Sequence, residues 1–164
     1  MAGGSPDAQL RFAVERTLGR LARWLRILGH DATYTRQLEG RALLRCGRQD
    51  RRVVLTRDRR LAREAAPPER ILVTSDHFRE QLRQLAGEFP IMGGDHFSRC
   101  VECNRPLEAV TAETVRALVP AYVRQTQSSF RRCPGCRRVY WPATHQQHVE
   151  QELAALGLGE GAQA

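Results

Sequence analysis

The 164-residue sequence contains no lysine, because all 26 of its basic residues are arginines. GC-rich coding explains such a composition as readily as selection for a function does, so composition alone leaves both explanations open. The distribution of charge is more informative. Residues 1–90 hold 18 arginines and 11 acidic residues, whereas residues 91–164 hold 8 and 7. The first part therefore carries a positive field that attracts polyanions, and the planar guanidinium suits phosphate.

Long apolar runs and common nucleotide-binding motifs are also missing. No apolar stretch approaches the roughly 20 residues of a membrane-spanning helix. Residues 1–9 lack the charged-then-apolar order of a secretory signal, so we expect a cytoplasmic location and no membrane contact. No phosphate-loop, dinucleotide or hydrolase-elbow motif occurs, which leaves those three functions without support. An apolar fraction of 41% nevertheless indicates a folded core.

Short apolar segments alternate with helical patterns through the first 90 residues. The predicted strands are Leu10–Glu15, Asp31–Tyr34, Arg52–Thr56 and Arg70–Thr74. The first three predicted helices are Leu18–Leu28, Glu39–Gly47 and Arg59–Ala65. Thr17 is the expected cap of the first, and Ala66–Pro68 breaks the third. A fourth helix is expected to be capped by Ser75 or Asp76 and to end near Ala86. This alternation predicts an α/β fold with a small parallel sheet and flanking helices over residues 8–90.

The pattern changes after a linker at Pro90–Phe97. Short segments surround two Cys-x-x-Cys pairs, with one helical piece predicted at Thr111–Leu118. We expect a second module over residues 97–150, followed by a short helix and flexible tail over residues 151–164.

Four of the five cysteines form two closely spaced pairs, Cys100 with Cys103 and Cys133 with Cys136. Two such loops supply four thiolates, which complete the tetrahedral sulfur site typical of structural Zn²⁺. Four protein ligands leave no open position, so the predicted metal is structural. A redox dithiol is the alternative, although two pairs without a thioredoxin-like context favour metal. The remaining Cys46 is predicted to be a small buried hydrophobe.

Acidic residues follow several predicted strands. Glu15, Asp58 and Asp76 each come directly after one, and the carboxyl ends of parallel strands share one edge of a sheet. Clustered carboxylates repel one another and favour a divalent cation such as Mg²⁺ or Mn²⁺, which activates water for attack on a phosphodiester. For each acid alone a structural interpretation is the more common one, whereas the acids taken together on a basic domain favour the cluster. Asp58 and Asp76 suit helix N-caps, and Glu15 suits an ion pair with a nearby arginine.

Three arginines recur at helical spacing along one side of the first predicted helix. Arg16, Arg20 and Arg23 form either a solvated polar face or a series of phosphate contacts. Because the series starts beside Glu15, the phosphate interpretation gains weight.

Several stretches together resemble the Mut-seven C-terminal RNase domain family. They are Leu18–Asp31, Leu55–Asp58, Arg99–Asn104, Cys133–Cys136 and Val139–Trp141 with His145, and the resemblance covers about residues 10–148. It implies a PIN-like nuclease fold with an appended zinc ribbon. It also implies a metal-dependent ribonuclease whose strand-end acids bind Mg²⁺ or Mn²⁺.

The resemblance also implies which residues form the site. Asp58 matches the acid of the family's Thr-Arg-Asp motif, and Glu15 stands where the family usually has Asp. We expect Glu15 and Asp58 to hold the catalytic metal, with Glu39 or Asp76 completing the site. The expected phosphate-binding residues are Arg20, Arg23 and Arg57, and the expected substrate is RNA.

Two other functions remain open at this stage. One is a non-catalytic RNA- or ribosome-binding module that retains the nuclease fold and the zinc ribbon. Glu in place of Asp at position 15, and Glu39 as the lone acid at the second acidic position, motivate that alternative. The other is a toxin-type nuclease held by an antitoxin protein.

Overall fold

A computed structural model of the chain describes residues 9–65, 69–142 and 144–159, without the side chains of Thr144 and His145. The chain separates into two compact units, Met1–Asn104 and Arg105–Ala164. Residues 91–104 thus belong to the first unit, and the domain limits expected from the sequence stay predictions. The expected helix break at Ala66–Pro68, the side chain of His145 and the end of the expected tail lie outside the described part.

The first unit is built on a sheet of four parallel strands. They are β1 (Arg11–Val14), β2 (Asp31–Tyr34), β3 (Val53–Thr56) and β4 (Arg70–Leu72). The strand order is β2-β1-β3-β4. Val14 lies opposite both Tyr34 and Leu55, and Thr56 lies opposite Leu72, so the four carboxyl ends meet at one edge. The predicted α/β fold with a small parallel sheet is confirmed.

Helices cover both faces of this sheet. They are α1 (Gly19–Ile27), α2 (Gly40–Gln49), α3 (Arg59–Arg63) and α4 (Phe78–Glu88). Ala13 of β1 packs with Leu43 of α2 and Leu61 of α3 in one buried cluster. The neighbouring Phe12, whose side chain points to the other face, contacts the rings of His30 and Phe89. The sheet is therefore the middle layer of the unit.

Two predicted helix caps are wrong. Thr17 lies within a 3-10 turn before α1, and its hydroxyl donates to Glu15 rather than to the helix. The last helix of the unit begins at Phe78 with His77 at its N-cap, one residue after Asp76 and two after Ser75, the two expected caps. The Ser75 hydroxyl accepts a hydrogen bond from the His77 amide over 3.0 Å. In both places a short-range side-chain bond holds the preceding turn, so the helix starts beyond it.

The second unit contains a small antiparallel sheet, whose strands β5 (Glu108–Val110), β6 (Phe130–Arg132) and β7 (Val139–Tyr140) lie in that order. Its helices are α5 (Ala121–Thr126) and α6 (Thr144–Ala155). The short helix expected in the tail is thus the second half of α6. No helix in the described part of the chain is long and apolar enough to cross a membrane.

The helical piece predicted at Thr111–Leu118 is wrong, because this segment forms successive turns. The Thr114 amide donates to the Thr111 hydroxyl over 3.3 Å, and Leu118 bonds back only three residues, to the Val115 carbonyl. Val115 within this segment and Val119 just beyond it are both buried and lie four residues apart. Spacing of four residues does not distinguish a helix from turns that bury the same two positions.

Candidate active site and metal centre

Four acidic residues follow the four parallel strands at the carboxyl edge of the sheet. In the order of the strands across the sheet they are Glu39 after β2, Glu15 after β1, Asp58 after β3 and Asp76 after β4. We call Glu15 and Asp58 the inner acids and Glu39 and Asp76 the outer acids. The fold therefore brings to one edge the residues that were expected to form a site.

The Glu15 carboxylate is held by donors from two elements. Its Oε2 accepts hydrogen bonds from the Thr56 hydroxyl and, over 2.8 Å, from the Arg57 amide. Its Oε1 accepts from the Thr17 hydroxyl over 2.8 Å. Burial by itself raises the pKa of Glu15, but these bonds outweigh burial and leave the pKa below its usual value. Glu15 is therefore a carboxylate at neutral pH.

Asp58 caps α3 with one of its two carboxylate oxygens. Its Oδ1 accepts from the amides of Arg60 (2.8 Å) and Leu61 (3.3 Å), so the structural interpretation of this acid holds. Its Oδ2 accepts no hydrogen bond from the described residues. The Asp58 amide donates to the Thr56 hydroxyl oxygen over 3.0 Å, and that hydroxyl donates to Glu15. One fully buried threonine thus joins the two inner acids.

The outer acids are engaged in ion pairs. Glu39 Oε2 lies 2.7 Å from Arg16 Nε, and Asp76 is paired with Arg57. The N-cap position of α4 is His77 and not Asp76. In residues 9–65, 69–142 and 144–159, the cysteines described below form the only group of three or more His, Cys, Asp or Glu side chains whose ligand atoms all lie within 4.8 Å of one another. The four acids are aligned along the edge without forming such a group.

The three arginines expected to bind phosphate have different surroundings. The Arg20 guanidinium lies 4.4 Å from the centre of the Phe78 ring, and Arg23 pairs with Glu102 over 3.1 Å. Arg57 lies at the acidic edge, where its Nε is buried and has no hydrogen-bond partner in the described part of the chain. Sequence reasoning did not assign roles to Thr56 or to the Arg16–Glu39 pair. Thr56 could have been singled out in the sequence, because it is the polar last residue of an otherwise apolar strand.

The four paired cysteines lie together as expected. The sulfur atoms of Cys100, Cys103, Cys133 and Cys136 are all within 4.8 Å of one another. The first cysteine of each pair is buried and the second is exposed. Four thiolates in this arrangement fit one tetrahedral metal ion such as Zn²⁺. Cys46 lies outside the group, is half-buried rather than fully buried, and its thiol points to Asp50.

Both Cys-x-x-Cys loops close in the same way. The Asn104 amide donates to the Cys100 carbonyl over 2.9 Å, and the Arg137 amide donates to the Cys133 carbonyl over 3.0 Å. Asn104 and Arg137 each follow the second cysteine and have left-handed backbones, with φ of 67° and 64°. The two loops are therefore matching turns that present their sulfur atoms alike.

A buried arginine supports the first of these loops. Arg26 of α1 is 4% exposed. Its Nη1 donates to the carbonyls of Val101 and Glu102, each over 2.8 Å, and its Nε donates to the Ala32 carbonyl over 2.9 Å. The guanidinium thus fixes the backbone between Cys100 and Cys103 against β2.

Comparison with known proteins gives one informative result. No curated protein and no solved structure matches the chain. The Mut7-C RNAse domain model matches residues 10–153, which include the acidic edge, all four paired cysteines and most of α6. The match covers most of the chain, and the protein therefore belongs to the Mut7-C RNAse domain family.

Proposed function

We propose that the protein is a cytoplasmic ribonuclease that hydrolyses RNA phosphodiester bonds with the help of a Mg²⁺ or Mn²⁺ ion held by Glu15 and Asp58. The observation that carries this proposal is the Thr56 hydroxyl, which joins the two acids at the ends of neighbouring parallel strands. Membership of a family described as an RNase domain supports RNA as the substrate.

The residues at the edge fit such an ion. Mg²⁺ keeps several waters and is usually bound by one or two carboxylates together with substrate phosphate. Glu15 is kept charged by its donors, and Asp58 has one oxygen outside its helix cap. Glu39 or Asp76 would complete the ligand set after leaving its arginine. When bound, the cation would polarise the phosphodiester and activate the attacking water.

The chain's own residues orient the substrate around that position. The Thr56 hydroxyl and the Arg57 amide hold the Glu15 carboxylate in place. The Arg57 side chain supplies positive charge at the same edge, where a phosphate would lie. Arg20 and Arg23 of α1 would contact the RNA strand at phosphates further from the metal ion. The four cysteines would hold a structural Zn²⁺ ion that takes no part in the reaction.

Substitution of Asp58 by Asn tests the proposal without removing the helix cap, because Asn and Asp cap helices about equally well. We expect Asp58→Asn to melt within a few degrees of the unmodified protein and to lose at least about 100-fold in Mn²⁺-dependent cleavage of single-stranded RNA, the scale of a lost electrostatic contact in catalysis. Glu69→Gln is the matched control, because it also removes one negative charge, at the opposite end of β4. Wild-type rates in Asp58→Asn would contradict the assignment.

A non-catalytic RNA- or ribosome-binding module is the second candidate. The observation that favours it is the pairing of both outer acids with arginines, which leaves the edge without a ready group of three carboxylates in the described residues. This alternative predicts RNA binding that weakens steeply with salt and no turnover with any divalent cation. The same cleavage assay on the unmodified protein separates the two functions.

A further inference from the structure

The arginines beside the inner acids are bound to the outer acids. Arg16 follows Glu15 in the chain, and its Nε lies 2.7 Å from Glu39 Oε2. Arg57 precedes Asp58, and its guanidinium is paired with Asp76. The arrangement is the same on both sides of the inner pair. Each outer acid therefore neutralises an arginine that stands at the edge where a phosphate would bind.

In both ion pairs a competing anion can replace the carboxylate. The side chains of Arg16 and Glu39 are each 58% exposed, and in the second pair Asp76 is 76% and Arg57 34% exposed. Ion pairs with exposed partners contribute little to stability, because water and salt screen them. Neither pair therefore opposes a competing anion strongly.

Arginine has more donors than either pair uses. A guanidinium carries five N–H donors in a planar fork that matches two oxygens of a phosphate. In Arg57 the terminal Nη2 is paired with Asp76, while Nε is buried and has no acceptor among the described residues. An incoming phosphate would engage the terminal guanidinium nitrogens, two at a time, where the carboxylate oxygen of Asp76 engages one, and this favours exchange toward phosphate.

We propose that Arg16 and Arg57 form two phosphate subsites, one on each side of the inner acids, which Glu39 and Asp76 occupy until an RNA strand displaces them. This inference rests on the proposed function for its ligand. The RNA backbone would run across the edge in the order β2-β1-β3-β4, with one phosphate at Arg16 and another at Arg57. Displacement frees Glu39 and Asp76, so RNA binding would also strengthen the binding of a divalent cation.

Removal of an outer acid tests this exchange directly. Glu39→Gln frees Arg16 while keeping the size of the side chain, and α2 loses no cap because Glu39 makes no side-chain capping bond. The probe is a labelled single-stranded RNA of mixed sequence, titrated at several NaCl concentrations with zinc-loaded protein and no added Mg²⁺ or Mn²⁺. Glu69→Gln again serves as the control for the loss of one negative charge.

We expect Glu39→Gln to bind this RNA at least about threefold more tightly than Glu69→Gln does. The plot of log K against log salt should steepen by about 0.7, the contribution of one further phosphate contact on a single strand. The double substitution Arg16→Ala with Glu39→Gln should remove both effects. Asp76→Asn should reproduce the gain through Arg57.

Equal affinity of Glu39→Gln and Glu69→Gln would overturn the proposal, as would a gain that persists after Arg16→Ala. The RNA-binding result does not depend on whether the protein cleaves RNA. If the unmodified protein does not cleave RNA but Glu39→Gln binds it more tightly through Arg16, the subsites stand and the ribonuclease fails. If the protein cleaves RNA but Glu39→Gln behaves like its control, the subsites fail and the ribonuclease stands.

Discussion

The Thr56 hydroxyl donates a hydrogen bond to Glu15 and accepts one from the Asp58 amide. Its single proton is therefore committed to Glu15, so the carboxylate is favoured in its charged form. Thr56 is completely buried, which excludes water from this contact. The residue that sets the position of both inner acids thus lies beneath them and would not touch RNA.

Thr56→Val should weaken the site while preserving the shape of the strand. Loss of the hydroxyl bond raises the pKa of Glu15, so the acidic limb of the cleavage profile should move to higher pH. A hydrogen bond to a charged group contributes about 1.5–3 kcal/mol, so cleavage at pH 7 should fall about tenfold or more. The measurement is kcat/KM against pH. Thr56→Ser, which keeps the hydroxyl, should restore the position of the limb, and an unshifted limb in Thr56→Val would contradict this role.

The ion pair between Asp31 and Arg52 should control acid stability. Its side chains are 15% and 10% exposed, and its N–O distance is 2.7 Å. Burial alone raises the pKa of Asp31, but the bonds from Arg52 and Asn104 outweigh it and hold the pKa below its ordinary value of 3.8. A lowered pKa stabilises the fold fully above the unfolded value, and that stability is lost as pH falls through the folded value.

Asp31→Asn should therefore lower the free energy of unfolding at pH 7 by about 2–4 kcal/mol, because it removes the nearer of the two carboxylates paired with the buried Arg52 and leaves only Asp50, whose Oδ2 lies 3.6 Å from Arg52 Nε. The substitution should also flatten the decline in stability below about pH 4. Urea unfolding at pH 7 and at pH 3 measures both effects. A difference between the variant and the unmodified protein that is the same at both pH values would show that Asp31 titrates alike in the folded and unfolded chains.

Arg26 should matter for metal retention as well as for stability. Arg26→Lys removes the forked contacts to the Val101 and Glu102 carbonyls, so we expect a loss of about 2–4 kcal/mol and faster release of Zn²⁺ to a coloured chelator. Arg23→Ala is the matched control. Arg23 lies on the same helix but makes an exposed ion pair with Glu102, and its loss should cost at most about 1 kcal/mol. Similar zinc release from both variants would refute the supporting role of Arg26.

Substitution of one cysteine ligand should unload the metal centre. Cys136 is exposed, so Cys136→Ser causes little packing loss but removes one of four thiolates. We expect the zinc content to fall from about one ion per chain to well below that, and a melting temperature that no longer responds to added Zn²⁺. Cys46→Ser is the control because its thiol lies outside the cluster. Full zinc content in Cys136→Ser would exclude the four-cysteine site.

The parallel sheet and the cysteine group could be predicted because their signals are local. β1 and β3 show apolar residues in an alternating or continuous run, helical patterns separate the four strands, and each cysteine pair has the spacing of a metal-binding turn. Parallel strands share one carboxyl edge, so the alignment of Glu15, Asp58 and Asp76 followed from the order of elements alone. Membership of the RNase family was likewise anticipated from residue motifs and is confirmed.

Partner choice among charged side chains could not be predicted. Arg16, Arg20 and Arg23 look alike in the sequence, yet one pairs with Glu39, one stacks on Phe78 and one pairs with Glu102. These contacts depend on which distant segments the fold brings near α1. Local competition had a similar effect at Thr17 and Ser75, whose hydroxyls bind nearby groups in the preceding turn instead of capping a helix.

The position of β1 between β2 and β3 determines when the acidic edge can exist during synthesis. Glu15 and Thr56 are 41 residues apart in the chain, although they share a hydrogen bond. The strand that carries Glu15 is made first, but it acquires its partner only after two crossovers have been completed and β3 has docked. A nascent or prematurely terminated chain that ends before β3 holds Glu15 without Thr56 or Asp58. Such a fragment cannot present the paired carboxylates, so the acidic edge is assembled only once β3 has been synthesised.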